Sequence, residues 1–173
     1  MNRLENLVGA FSLTVADRLV DQTKNHGLSA SDQASLVTLL AYPDRPVSWL
    51  GGILGLTSSG ATRLVDRLVG AGLVTRGAAS DSRERRLRLT AAGKRRAATA
   101  VRQRHETLAS SLEVLTAAER DQLEQLLDRL VSGLTTSRQA GLQTCRLCDR
   151  KACTAGGREC PLHHTVPGGD ADD

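Results

Sequence analysis

A mainly α-helical domain carrying one small β-hairpin is what this 173-residue sequence predicts. Three observations carry that expectation. The chain holds one Phe, one Trp and one Tyr, so its core must be built from Leu, Val and Ala. Such a composition suits packed helices better than a β-sandwich. Apolar residues recur at i, i+3, i+4 and i+7 through most of the length, the spacing of helices that bury one face. The exception is Arg86-Leu87-Arg88-Leu89, which alternates with the period of a strand.

The elements follow in order. Leu4, Leu7, Val8, Phe11, Val15, Leu19 and Val20 mark a first helix over 4–25, with Gly27 as its stop. Ser29 or Ser31 caps a second helix that runs to the turn at Pro43. "PVSWLGGILG" reads as a short third helix, with Pro46 tolerated near its start and Gly55 at its end. Gly51 and Gly52 weaken it by about 1 kcal/mol each relative to Ala. Thr57 or Ser58 caps a fourth helix with Ala61, Leu64, Val65 and Leu68 in one stripe. Ser59, Arg63, Asp66, Arg67 and Gly70 fall on the opposite side. "LVTRG" and "RRLRLT" read as two strands, and "AASDSRER" as the tip between them. Thr90 caps a long helix over 91–115. Thr116 and Glu119 form a capping box for a last one bearing Leu123, Leu126, Leu127, Leu130, Val131 and Leu134. That leucine face needs a partner surface.

No apolar run reaches the roughly 18 residues of a membrane-spanning helix, and the N-terminus lacks a signal-peptide core. The expectation is a cytoplasmic protein with no membrane partner. Charge is distributed unevenly. Ten basic and two acidic residues lie between Arg76 and Arg104, against a net charge of +4 for the whole chain. A one-signed stretch of this kind is the footprint of a polyanionic partner. Within it, Lys94, Arg95 and Arg96 are also consistent with a solvated helix face.

A helix, a tight turn, a second helix with a polar outer face and a basic hairpin make the winged helix-turn-helix plan. Residues 46–96 resemble the MarR family of bacterial transcription regulators. The match is strongest at "DSRERRLRLTAAGKR", which fits D-x-R-x-x-R followed by L-T-x-x-G at Asp81, Arg83, Arg86, Leu89, Thr90 and Gly93. The likeness extends over roughly 4–136. It implies a winged helix with a two-stranded wing and N- and C-terminal dimerisation helices. It also implies a homodimer that reads a palindromic site on double-stranded DNA, most often as a repressor, and a cleft for a small-molecule effector. Symmetric half-sites about 34–36 Å apart suit such a dimer.

Side-chain chemistry assigns roles to the DNA-facing residues. Ser59, Arg63 and Arg67 project from the fourth helix toward base edges or phosphates, with Thr62 on the flank. Arg83 is the expected minor-groove probe, since a narrow groove concentrates negative potential. Asp81 orients it. Arg85, Arg86 and Arg88 neutralise phosphates, or Arg86 instead pairs with an acid such as Asp66. The rival to a regulator is a protein-interaction adaptor on the same scaffold. Enzymatic thiol chemistry has no paired base beyond His163 and His164.

Two features depart from the family pattern. Trp49 and Ile53 stand where the family has outward-facing polar residues, and are read either as core or as a docking patch for the C-terminal tail or a partner. The second is the tail, which divides the chain into a DNA-binding and dimerisation domain over 1–136, a Cys-rich segment over 137–164 and a disordered terminus over 165–173. All four cysteines lie in it: Cys145, Cys148, Cys153 and Cys160. Clustered thiols in a cytosolic chain point to metal or redox chemistry. Tetrahedral zinc on four thiolates is the first expectation. An iron–sulfur cluster and a metal-free thiol switch are the alternatives.

Overall fold

The computed structural model describes residues 2–24, 27–77 and 86–165. It is mainly helical, with a small antiparallel sheet in strand order β1-β3-β2. The first helix, α1 (Arg3–Lys24), leads to α2 (Ala30–Ala41), β1 (Arg45–Pro46), α3 (Val47–Leu54) and α4 (Ser58–Gly70). Strands β2 (Val74–Arg76) and β3 (Arg86–Leu89) follow, then the long helices α5 (Ala91–Ser111) and α6 (Ala117–Gly133). Two short helices, α7 (Arg138–Thr144) and α8 (Arg150–Cys153), occupy the tail. Among the described residues no helix is long and apolar enough to cross a membrane.

Most of the expected helix starts are present with their caps. Ser29 caps α2 in a capping box with Asp32, Thr57 accepts from the Gly60 N–H, Thr90 accepts from Gly93, and Thr116 pairs with Glu119. The third strand was not expected. Asp44 adopts a left-handed φ of 61° and its N–H donates to the Leu87 carbonyl at 3.1 Å. That turn lays Arg45 and Pro46 beside β3, Arg45 opposite Leu87. Two residues are too few for an alternating pattern to show in a sequence.

Leu36, Leu39, Leu50, Val65, Leu68, Val74 and Leu87 are fully buried and join α2, α3, α4 and the sheet in one core. Two glycines permit the close approaches around it. A Cβ on Gly51 would stand 2.8 Å from the Ala61 Cβ, so the weak helix former is the residue that lets α3 meet α4. A Cβ on Gly93 would lie 2.0 Å from the Leu73 carbonyl oxygen. The glycine of the L-T-x-x-G stretch therefore lets the first turn of α5 sit on the end of the α4–β2 connection. Ile53 is 3% exposed and belongs to this interior. Trp49 is half-buried, edge-on to Tyr42 at 5.5 Å between ring centroids, with the Arg45 guanidinium 5.3 Å from its ring.

Candidate nucleic-acid interface and cysteine tail

The outer face of α4 is set by its inner one. Ala61, Leu64, Val65 and Leu68 are buried, so Ser59, Thr62 and Arg63 stand exposed on the other side. Arg63 makes no hydrogen bond or ion pair with another described residue, which leaves its guanidinium available. The Thr62 hydroxyl donates to the Ser58 carbonyl at 2.9 Å, and Ser59 Oγ lies 3.4 Å from Thr57 Oγ1. Arg67 is engaged. Its Nη2 donates to Asp32 Oδ1 at 2.6 Å and ties α4 to the start of α2. Burial pushes the Asp32 carboxyl up, but the hydrogen bond from Arg67 and those from Ser29 outweigh it and hold the group below its ordinary value. Sequence reasoning placed Arg67 on the exposed face correctly. It missed Asp32, because a capping residue gives no sign that it also meets an arginine 35 positions away.

Asp44 organises the cationic strand. Its carbonyl accepts from Arg86 Nη1 at 3.0 Å, and its carboxylate pairs with Arg88. The Arg88 hydrogen bond holds the Asp44 carboxyl below the ordinary range. The suggested Arg86–Asp66 pair does not form. Asp66 of α4 is taken by Arg76 of β2 at 2.6 Å. Arg86 and Arg88 remain exposed, on the flank of α4's domain. Asp81, Arg83 and Arg85 lie outside the described residues.

The tail folds back on the winged domain. Nε2 of Gln143 and of Gln139 both donate to the Gly52 carbonyl, at 3.0 and 3.4 Å. The Thr38 hydroxyl donates to the Arg146 carbonyl at 3.2 Å, and the Arg150 guanidinium lies 4.9 Å from the Tyr42 ring centroid. Leu162 is buried against Gly141, Arg158 pairs with Glu124 of α6, and His164 Nε2 reaches the Thr135 carbonyl at 3.0 Å. His164 is thereby occupied structurally. The tail meets α3 at Gly52 and the end of α2 at Tyr42, whose ring is edge-on to Trp49, while Ile53 stays in the core.

All four cysteines are free thiols, and all four line one cleft of about 620 Å³ between α5, α6 and the tail. Among the described residues no group of three or more His, Cys, Asp or Glu side chains is arranged to hold a metal ion. Cys145 and Cys148 stand at the two ends of one turn, the Cys148 N–H donating to the Cys145 carbonyl at 2.9 Å. The Cys145 thiol holds Cys148 down to about 6 against the effect of burial, with Arg104 and Arg146 adding to it. Cys145 is pushed up by its neighbour Cys148, by burial and by the other sulfurs. Burial also pushes Cys153 up.

Solved structures share this architecture. A MarR family protein from Bacillus stearothermophilus superposes with a TM-score of 0.70 at 28% identity, covering 79% of this chain and 99% of that one. A probable transcriptional regulator from Pseudomonas aeruginosa matches at 26% identity and 0.56, covering 74% and 99%. The apo form of wild-type MarR from E. coli matches at 22% and 0.61, covering 75% and 98%. The chain has the MarR-family fold. No protein-family model matches the sequence, and no curated protein matches it either. In MarR terms, the two leading helices, the winged domain with α4 outward, and the two long trailing helices are all present. About a fifth of this chain has no counterpart in the Bacillus stearothermophilus protein, which is itself covered to 99%.

Proposed function

We propose that this chain is a DNA-binding transcription regulator that acts as a homodimer and represses its targets. The observation that carries the reading is the exposed outer face of α4, with Arg63 and Ser59, in the same winged domain as the cationic strand β3. A rigid helix with an unpaired arginine and hydroxyls suits base edges and phosphates in a major groove. Arg67 and Asp32 set its angle, and Arg83 completes the contact from the wing in the minor groove. Arg86 and Arg88, held along the strand by Asp44, add phosphate neutralisation.

The dimer rests on unpartnered apolar faces. Leu4, Leu7, Val8 and Phe11 of α1 are half or more exposed, and so are Leu126, Leu130 and Leu134 of and after α6, at 54, 59 and 79%. No residue of α6 is buried within one chain. Leucines left in water on two long helices fit a second copy of the same surface. The tail belongs to the same proposal as its sensory end, responding to metal or redox state. The contact between Cys145 and Cys148 favours thiol chemistry, and zinc on all four cysteines is the competing occupant.

Gel-shift titration against an operator selected from random DNA tests the core reading. Arg63→Ala and Arg83→Ala are each expected to weaken binding by about tenfold, the loss of one good contact, while the dimer persists in sedimentation. Affinity should fall steeply with salt. Unchanged affinity in both variants would sink the DNA-contact assignment.

A further inference from the structure

We propose that Cys145 and Cys148 form a dithiol site that exchanges with small anionic disulfides entering beside Cys148. The proposal deepens the sensory reading of the tail, and it stands on the thiols whether or not the chain binds DNA.

The backbone places the two sulfurs. The Cys148 N–H donates to the Cys145 carbonyl at 2.9 Å and closes a four-residue turn. Such a turn brings the end Cα atoms within about 7 Å. A disulfide spans Cα separations of about 4.4–6.8 Å. The pair can therefore close with little backbone movement. Cys153 and Cys160 share the cleft but no turn of this kind.

Access is equally specific. Cys148 lines the cleft it shares with the other thiols and also a second one, of about 830 Å³, between α2, α5 and the start of α8. That size suits a small molecule. Val37, Leu40 and Val101 form its apolar wall, and Arg102, Arg150 and Lys151 its charged one, against the single acid Asp149. A carboxylate-bearing disulfide meets both walls with its reactive bond near Cys148.

The chemistry balances without a metal. The Cys148 thiolate attacks one sulfur of the small disulfide, a mixed disulfide forms, and the other half leaves as a thiolate that takes a proton. The Cys145 thiol, losing its proton to solvent, then attacks the Cys148 sulfur. The intramolecular disulfide forms and the second small thiol leaves. Two protein thiols are oxidised, and one small disulfide is reduced to two thiols.

The full chain, purified anaerobically and reduced, is treated with oxidised glutathione or with cystamine, its cationic counterpart. The reaction is quenched in acid, alkylated and mapped by mass spectrometry. Oxidised glutathione should join Cys145 to Cys148 about tenfold faster than cystamine, the scale of electrostatic steering. Arg150→Glu with Lys151→Glu should remove that preference. Cys145→Ser should stop at one glutathionyl group on Cys148. Mapping of the unmutated chain reads the linkage even where a variant fails to fold. Three results would each overturn the proposal. One is glutathionylation or bridging at Cys153 or Cys160 instead, and another is equal rates for the two probes. The third is about one zinc per chain shielding all four thiols until it is chelated.

Discussion

Asp32 shows how one residue joins three tasks. It is N3 of α2, returns the capping box to Ser29, and receives Arg67 from α4. Its folded-state pKa is depressed, so its contribution to stability is fully present above the unfolded value of about 3.9 and is lost as pH falls through the lower folded value. Acid titration followed by circular dichroism should show this, with Asp32→Asn flattening the stability profile below about pH 4. At neutral pH, Asp32→Ala should destabilise the fold by about 1–2 kcal/mol through the lost cap, as read by urea denaturation. Gly93 makes a different argument at the same scale. Its missing Cβ leaves room for the Leu73 carbonyl, which is backbone and does not swing away. Gly93→Ala should therefore cost about 1–3 kcal/mol, the range for overpacking, despite alanine being the better helix former. A midpoint at or above the parent's would show that α5 can shift.

At the scale of elements, legibility followed the length of the local pattern. The stripe Ala61, Leu64, Val65 and Leu68 repeats over two turns, and α4 lies where it predicts with that stripe buried. The capping signals at Ser29, Thr57, Thr90 and Thr116 each sit at a helix start. The two-residue β1 and the seven-residue α7 carried too little pattern to read, and both depend on a distant surface. Of the expected interface residues, Ser59, Thr62 and Arg63 were placed by helical geometry alone. The fate of Arg67, Arg86 and Arg88 was not, since Asp32 and Asp44 reach them only after folding. The leucine face of α6 was legible as apolar and as unsatisfied. In the proposed dimer, Leu130→Glu should yield monomers by analytical ultracentrifugation, and operator affinity should fall by about a hundredfold or more as the second half-site is lost. A dimer that survives this change would place the interface elsewhere.

At the scale of the molecule, the tail is joined to the rest of the chain by a few polar contacts. It is hung on α3 by Gln139 and Gln143, on α2 through Thr38, and on α6 through Arg158 and Glu124. These are hydrogen bonds and one exposed ion pair, so the tail is held lightly. Gln143→Ala combined with Arg150→Ala should speed limited proteolysis of residues 138–165 about tenfold, equivalent to losing roughly 1.4 kcal/mol of docking, with the winged core intact. Equal cleavage rates would show that these contacts do not retain it.

The sequence by itself determined the helices, their caps, the cationic strand and the concentration of thiols in one short segment. Each is encoded within a few turns of chain, where periodicity, a capping side chain or composition is sufficient. Tertiary structure decided which arginines stay free to meet a polyanion, which glycines mark close approaches, and that Cys148 opens between two clefts. Those outcomes depend on pairs such as Arg67 with Asp32, Arg86 with Asp44 and Arg146 with Thr38, which stand 35, 42 and 108 residues apart. Contacts across such distances exist only once the core has brought α2, α4, the sheet and the tail together, and no local pattern announces them.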